Sequence, residues 1–277
     1  MRVINGVFWP DHEHTSPVPH TQPGGTLRLL SLNIQFGLHT SQYRDYVTQS
    51  WRHVLPTRGT RANLERIATL VTPYDLVALQ EADAGSLRTA QLNQVAHLAE
   101  HAVFPYWHAA VTRNLRPFAQ HCLGCLSRWP LRDVKYHALP GWLPGRGALE
   151  VEIRPTGCES LRLIIAHLAL GRRTRARQLH YLATLIKGGT DTIVLGDLNC
   201  DINELTSHAG MREASLRGVH SQHTFPSWRP SRALDHILVT PTVEVIGATV
   251  LEERLSDHLP VATEIRLRLE AAPRREA

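Results

Sequence analysis

The chain has 277 residues, of which 43% are hydrophobic and 20% charged, with 17 prolines and 18 glycines. No apolar run approaches the roughly 20 residues that a membrane-spanning helix needs. This composition excludes a disordered or collagen-like chain and indicates one globular domain. Thirty Lys+Arg against 25 Asp+Glu give a formal net charge of +5, which favours an anionic partner only mildly.

The two ends of the sequence are expected to stay outside the folded domain. Residues 1–26 contain four prolines and three histidines, which predicts an irregular leader. The leader lacks a long apolar segment followed by small residues, so we expect no secretory signal and a cytoplasmic location. Residues 271–277 are predicted to fray, which leaves residues 27–270 as the domain.

The first half of the domain alternates predicted strands and helices. A short apolar run bounded by glycines predicts a strand at 27–34, and the stretch from 38 to 60 is rich in loop residues. Apolar residues then recur at helical spacing over 64–71, where Pro73 stops the helix, and a strand follows at 75–81. A helix at 92–99 and a strand at 107–111 repeat this order.

The second half is mostly strand. One helix is predicted at 173–186, and the strands are predicted at 122–127, 148–153, 161–167, 192–195, 233–239, 243–250 and 261–269. Strands therefore outnumber helices about three to one, whereas a doubly wound parallel fold would alternate them more evenly. We predict an α/β fold in which two packed, mainly antiparallel sheets are flanked by helices.

Residue types that bind metals or phosphate recur at five places beside predicted strands. These residues are Asn33, Glu81, His167, Asp197 with Asn199, and Asp257 with His258. Each place has an ordinary explanation, such as a turn after a strand or a hydrogen-bonded core histidine. Repeated ends of this kind on core strands are not expected of solvated turns, and together they indicate one polar site.

The cysteines do not support a zinc hydrolase. Only Cys122 and Cys125 are close in sequence, and no second Cys pair or His pair follows at ligand spacing. We expect the four cysteines to be buried thiols in a reducing compartment.

The polar blocks resemble those of the endonuclease/exonuclease/phosphatase superfamily of metal-dependent phosphohydrolases. The matching blocks occur in the family's order over residues 27–267 and are LLSLNIQFG, LVALQEAD, IIAHLALG, IVLGDLNC, RALDHILV and SDHLPV. The resemblance implies a four-layer α/β sandwich with its active site at one rim of the two sheets.

The resemblance also implies a metal site. Glu81 is similar to the family's main Mg²⁺ ligand, Asn33 lies beside it, and Asp257 reaches the metal directly or through water. Hard oxygen ligands of this kind suit Mg²⁺, which usually retains waters and takes one or two carboxylates, and Mn²⁺ is an alternative.

The remaining blocks imply catalytic roles. Asp197 is similar to the residue that orients or deprotonates the attacking water, and Asn199 to the donor that binds a phosphoryl oxygen. His258 resembles the family's catalytic histidine, and Asp235 the carboxylate that orients it. His167 is similar to a second histidine that binds phosphate. Phosphodiester hydrolysis needs these functions, namely an in-line water and neutralisation of charge on the phosphoryl oxygens.

Three further residues are candidates for substrate binding. Arg128 and Arg146, like Arg113 and Arg116, fall in or near predicted loops with tryptophans nearby, where they could bind a polyanion. Trp142 is predicted in a shaped Pro- and Gly-rich loop at a lipid interface or over the substrate. Surface arginines and core tryptophans are the ordinary alternative. Because no amphipathic anchor helix accompanies the loop, we expect no stable membrane anchoring.

The predicted substrate class stays broad. AP endonucleases have Gln-Glu-Thr-Lys around the metal glutamate, whereas this chain has Gln80-Glu81-Ala82-Asp83, which argues against a base-excision role. Segments 124–130 and 224–228 resemble the sphingomyelinase-like and generic bacterial branch instead. We predict a Mg²⁺-dependent hydrolase of phosphate esters, in the first place a phosphodiesterase. A DNA or RNA nuclease is the alternative, with nucleic acid as partner. A non-catalytic binding module is a distant alternative, because the proposed catalytic residues are all present.

Overall fold

The computed structural model describes residues 2–4, 7–9, 25–38, 58–142, 144–186 and 190–270. The strands are β1 (Arg2–Ile4), β2 (Val7–Trp9), β3 (Thr26–Asn33), β4 (Leu76–Asp83), β5 (Tyr106–Leu115), β6 (Ala119–Ser127), β7 (Arg132–Ala138), β8 (Gly147–Ile153), β9 (Leu161–His167), β10 (Thr192–Asp197), β11 (Arg217–Gly218), β12 (Asp235–Val239), β13 (Glu244–Val250) and β14 (Val261–Arg266). The helices are α1 (Arg58–Val71), α2 (Gln94–His101), α3 (Arg172–Leu185), α4 (Ile202–Ser207) and α5 (Ala209–Glu213). Within these residues, no helix is long and apolar enough to cross a membrane.

The strands form two sheets. The first has the order β1-β2-β5-β6-β4-β3-β14-β13, and the second has the order β11-β12-β10-β9-β8-β7. Two strand pairs are parallel, β3 with β4 and β9 with β10, and the other described pairs are antiparallel. The predicted fold of two mainly antiparallel sheets is therefore confirmed.

Three apolar clusters separate four layers. The central cluster lies between the sheets and includes Leu29, Leu163 and Ile237, with side chains that are at most 1% exposed. A second cluster joins the first sheet to α1 and α2, and a third joins the second sheet to α3, α4 and α5. Strands covered on both faces must be apolar on both, which explains the continuous apolar runs in the sequence.

Several elements depart from the prediction. Strand β7 was not predicted, because five of its seven residues are exposed at a sheet edge and it begins with the charged pair Arg132-Asp133. The short helices α4 and α5 were also missed. Within the leader predicted to be irregular, the structure has strands β1 and β2, and residues 5–6 and 10–24 lie outside the described part, as do most of the predicted loop (39–57) and the predicted frayed tail.

The two parallel pairs bring the functional strand ends together. β3 and β4 end on the same rim of the first sheet, and β9 and β10 end on the same rim of the second. Close pairing of β9 with β10 requires Gly196, since a Cβ at this position would lie 2.0 Å from the carbonyl oxygen of Ala166. The residues that end these strands therefore face one another across the gap between the sheets.

A buried histidine in β5 predicts that the fold loses stability in mild acid. Burial lowers the pKa of His108 from 6.5 to about 4, so the unfolded chain takes up a proton that the folded chain does not. The contribution of His108 to the free energy of unfolding is complete above pH 6.5 and is lost as the pH falls towards 4. At pH 5 the loss from this group is about 2 kcal/mol.

Urea unfolding of the His108→Gln variant at pH 7.5 and pH 5 checks this prediction. The loss of unfolding free energy between the two pH values should be smaller than in the original chain by about 2 kcal/mol. Replacing His180 with Gln, on the exposed face of α3, is the matched control. An unchanged difference in the His108 variant would show that this histidine does not resist protonation in the fold.

Candidate active site

Four polar side chains from the ends of the central strands meet at the rim. The Asn33 amide donates to Asp197 Oδ2 at 3.2 Å across the gap between the sheets. His167 Nε2 lies 3.4 Å from the same Asp197 oxygen and 3.7 Å from Glu81 Oε1. The structure therefore places residues from both sheets around one buried carboxylate.

Glu81 and Asn199, which lies two residues after Asp197, both have a left-handed backbone. Glu81 has a φ of 52° at a register irregularity between Leu79 and Ala82 in the pairing of β4 with β6. Asn199 has a φ of 55°, and its backbone N–H donates to Asp197 Oδ1 at 3.0 Å. Positive φ is uncommon for non-glycine residues and is often found at functional sites, where surrounding contacts hold it in place.

A second group approaches Asp197 from the loop before β14. His258 Nδ1 donates to Asp235 Oδ2 at 2.7 Å, and the Thr224 hydroxyl donates to the same oxygen at 2.6 Å. His258 Nε2 lies 3.9 Å from Asp197 Oδ2. Because Nδ1 is engaged with the carboxylate, Nε2 is the ring nitrogen that faces the centre of the site.

Opposite charges set the protonation states of this pair. Burial would raise the pKa of the Asp197 carboxyl, but the charge of His258, the hydrogen bond and charge of His167, and the charge of Arg146 hold that pKa well below its usual range. Burial would lower the pKa of His258, but Asp235, Asp197 and Asp257 raise it well above 6.5. These shifts favour the ionised form of Asp197 and the protonated form of His258.

Ser256 ties the His258 loop to the first sheet. Its hydroxyl donates to the Asn33 carbonyl oxygen at 2.6 Å and accepts from the His258 N–H at 3.1 Å. The neighbouring Asp257 is buried, and its backbone oxygen accepts from the Ser227 N–H at 2.8 Å. The position of His258 relative to β3 is therefore fixed by hydrogen bonds.

The Asn199 side chain is partly committed to the backbone. Its amide donates to the Leu168 carbonyl oxygen at 2.9 Å. One amide hydrogen therefore holds the side chain in place, and the second is the one that can serve a phosphoryl oxygen, as the resemblance implies. His236, on the other face of β12 from Asp235, is bonded through Nε2 to the Cys200 carbonyl oxygen at 2.7 Å, as strand alternation predicts for a structural residue.

A cavity that we call the rim pocket opens beside this cluster of polar side chains. It has a volume of about 630 Å³, and Glu81 and His167 form part of its wall. Two of the predicted substrate-binding residues, Trp142 and Arg146, also line it, and the Arg146 guanidinium lies against His167 Nε2. The structure therefore brings Trp142 and Arg146 to the site.

The structure places the third predicted substrate-binding residue, Arg128, elsewhere, and this prediction is corrected. Arg128 follows Ser127, which pairs with Leu76 at the start of β4, five residues before Glu81. Its guanidinium donates to the Thr72 carbonyl oxygen at 2.8 Å and stacks over the Phe104 ring at 4.1 Å. Backbone carbonyls and an aromatic ring thus engage Arg128 at the rim opposite the site.

Sequence reasoning missed two residues that hold the site together. Thr224 orients Asp235, and Ser256 joins Asn33 to His258. Both are short hydroxyl residues that are at most 1% exposed. Ser256 belongs to the matching block SDHLPV and Thr224 begins the segment 224–228, but nothing in the sequence indicates that either residue positions the site.

The side chains on the Glu81 side fit a divalent cation. Glu81 is 26% exposed at the rim pocket, and carboxylate and amide oxygens are hard donors that suit Mg²⁺. Ligand atoms of Asp197, Asp235 and His258 also lie within 4.8 Å of one another, close enough to hold a metal ion. However, Asp235 and His258 already bond to each other, which favours a role in proton transfer for that cluster.

Comparison with known proteins agrees with this geometry. Residues 30–258 match the model of the Endonuclease/Exonuclease/phosphatase family. A similar solved structure is the endonuclease/exonuclease/phosphatase from Beutenbergia cavernae DSM 12333, with a TM-score of 0.69, 20% identity, and coverage of 88% of this chain and 72% of that one. No curated protein matches the chain.

Two further similar structures have more specific descriptions. The mannosyl-6-phosphatase Bt3783 of Bacteroides thetaiotaomicron VPI-5482 has a TM-score of 0.62 and 18% identity, and the match covers 86% of this chain and 99% of that one. D. rerio TDP2 complexed with a single-strand DNA product has a TM-score of 0.64 and 17% identity, with 87% and 99% covered. At these identities the likeness shows the shared fold, whereas the family match spans most of the chain. The chain therefore belongs to the endonuclease/exonuclease/phosphatase family of metal-dependent phosphohydrolases.

Proposed function

We propose that the protein is a Mg²⁺-dependent phosphodiesterase that hydrolyses its substrate by in-line attack of water. The observation that carries this proposal is the Asp197 carboxylate, which is buried between the sheets, 3.4 Å from His167 and 3.9 Å from His258. An ionised carboxylate between two histidines, beside a second carboxylate on Glu81, supplies both a water-orienting group and groups that bind phosphoryl oxygens.

Glu81 would hold the metal ion, together with Asn33 and with Asp257 directly or through water. A bound Mg²⁺ would offset the negative charge that develops on the phosphoryl and leaving oxygens. Of the side chains themselves, Glu81 is the one that stands at the pocket wall with a partly exposed carboxylate, so it is the first ligand to test.

The other residues divide between the water and the phosphoryl group. Asp197, whose low pKa keeps it ionised, accepts a hydrogen bond from the attacking water and orients it. His258 donates a hydrogen bond from Nε2 towards the centre of the site, because Nδ1 is bonded to Asp235 and the raised pKa of the ring keeps it protonated. His167 and the second amide hydrogen of Asn199 bind phosphoryl oxygens.

A nuclease is the second candidate for the same chemistry. The rim pocket contains arginines and an exposed tryptophan, groups that contact nucleic acid phosphates and bases in many proteins. The structural relative TDP2 is described with a single-strand DNA product. The relative Bt3783 is described as a mannosyl-6-phosphatase, so the fold also serves phosphate monoesters. We retain a cytoplasmic location as a prediction from the sequence.

The metal assignment predicts that Glu81→Gln lowers hydrolysis of bis-p-nitrophenyl phosphate at saturating Mg²⁺ by a factor of about 1,000 or more. The variant removes the charge of the main ligand while keeping its volume, and several kcal/mol of transition-state stabilisation come from a metal in such sites. EDTA should lower the hydrolysis rate of the original chain by a similar factor.

Glu100→Gln, on the exposed end of α2, is the matched control and should retain activity. Circular dichroism and thermal melting of each variant establish that the fold is retained. Full Mg²⁺-dependent activity of the Glu81 variant would refute the assignment of this residue as the main ligand.

The hydrogen bond from Thr224 to Asp235 predicts a positioning role. Thr224→Val keeps the shape of the side chain but removes the hydroxyl, which donates to Asp235 Oδ2 and accepts from the N–H groups of Leu234 and Asp235. We therefore expect kcat to fall by about tenfold or more, with little change in KM. Thr224→Ser keeps the hydroxyl and should recover most of the activity. If the Val and Ser variants lost activity equally, packing rather than the hydrogen bond would be responsible.

A further inference from the structure

We propose that the rim pocket binds a second phosphoryl group of the substrate, so that the natural substrate is a phosphate ester carrying at least two phosphoryl groups. This inference rests on the proposed function, because it assigns the scissile phosphoryl group to the centre around Asp197. Its main residue is Arg113, which the resemblance does not identify.

One arginine of the pocket belongs with the reaction centre. The Arg146 guanidinium lies against His167 Nε2, and its charge is one of those that lower the pKa of Asp197. A phosphoryl group held by His167 would therefore be within reach of Arg146.

Arg113 lies further along the same pocket. The pairing of β5 with β6 has an irregularity between Val111 and Arg113, and as a result the consecutive residues Thr112 and Arg113 both line the pocket. The charge of Arg113 acts on His121, whose pKa is lowered to about 4 by burial first and then by Arg88 and Arg113. Arg113 thus presents its charge to the rim pocket beside His121.

Gly145 keeps the stem of Arg113 in place. Gly145 has a φ of +107°, and a Cβ added there would lie 3.1 Å from Arg113 Cδ and 3.2 Å from Arg113 Cβ. The backbone next to Arg146 therefore lies directly on the aliphatic part of Arg113. Through this contact, the position of Arg113 in the pocket is coupled to the position of Arg146.

The charges of the pocket suit an additional anion. Among the described residues, neither Arg113 nor Arg146 forms an ion pair with a carboxylate, whereas Arg88 lies 2.5 Å from Asp83. Glu81, the proposed metal ligand, is the one carboxylate in the described wall of the pocket. A scissile phosphoryl group uses the metal side and Arg146, so the charge of Arg113 is left for a second phosphoryl group, which guanidinium binds in bidentate geometry.

The mouth of the pocket suits the organic part between the two groups. Trp142 is 95% exposed and Leu170 is 73% exposed, and both line the pocket. The volume of about 630 Å³ lies within the range of sites for small organic ligands, roughly 300–1,000 Å³. A nucleotide or a sugar that joins two phosphates would place its ring against these side chains.

Competitive inhibition of bis-p-nitrophenyl phosphate hydrolysis, at constant free Mg²⁺, tests the proposal. Two matched pairs of inhibitors differ by one phosphate, namely thymidine 5′-monophosphate with thymidine 3′,5′-bisphosphate, and fructose 6-phosphate with fructose 1,6-bisphosphate. We expect the bisphosphate to have an inhibition constant at least about tenfold lower, the effect of one charge-assisted contact. A lower inhibition constant for the bisphosphate in both pairs indicates that the pocket accepts small soluble bisphosphates in general. A lower constant in the thymidine pair alone indicates that the substrate is a nucleotide.

Variants connect the preference to Arg113. Arg113→Gln should bring the ratio of the two inhibition constants close to 1, and Arg113→Lys should keep part of the preference because the charge remains. Arg116→Gln, in the same β5–β6 hairpin but outside the pocket wall, is the control and should leave the ratio unchanged.

Equal inhibition by both members of each pair, or a preference that persists in Arg113→Gln, would overturn the proposal. In either case, Mg²⁺-dependent hydrolysis of the diester would leave the proposed function standing. Calorimetric binding of the same pairs needs no turnover. Tighter binding of the bisphosphate, lost in Arg113→Gln, by a chain that hydrolyses no diester would support the pocket and contradict the phosphodiesterase.

Discussion

The burial of one carboxylate between two sheets is the constraint on which the site depends. Asp197 is 2% exposed, and an ionised carboxylate in such a place is stable only if cations and hydrogen-bond donors surround it. The structure supplies an amide from the first sheet, two histidines and an arginine. The proposed function gives each of these groups a role in phosphoryl chemistry, so the arrangement that stabilises the buried charge would also serve as the binding site for a phosphoryl group.

The sheets provide these groups because each contains one parallel pair at its centre. In the first sheet β3 and β4 end together, and in the second β9 and β10 do, whereas the surrounding pairs are antiparallel. Four strand ends thus meet at one rim without any long loop, and a core that is continuous between the sheets fixes their separation. The elements that complete the site, the loop before β14 and the segment that contains Thr224, are anchored by hydrogen bonds to this rim.

The sequence was sufficient for the fold because continuous apolar runs mark strands that are covered on both faces, as β3 and β4 are, and apolar residues at helical spacing mark the helices. It was not sufficient for β7, whose exposed edge position needs no apolar pattern. For the site, residues that end core strands could be chosen from the sequence, and the structure brings them together. Arg128 could not be distinguished from Arg146, since both are arginines in polar segments, and only the three-dimensional path of β6 separates them. Thr224 donates a hydrogen bond to Asp235, a residue 11 positions away, and no pattern in the neighbouring residues indicates this bond.

The left-handed backbone of Glu81 and Asn199 has a consequence for how this protein can change over time. A non-glycine residue in that conformation costs of order 1 kcal/mol or more relative to glycine, and here two such residues flank one site. Glycine at either position would relieve the strain and remove a side chain to which the proposed function assigns a role. Selection for thermal stability would therefore favour glycine at these two positions, whereas selection for turnover would favour the present side chains. The large apolar core between the sheets offsets the free-energy cost of the strain.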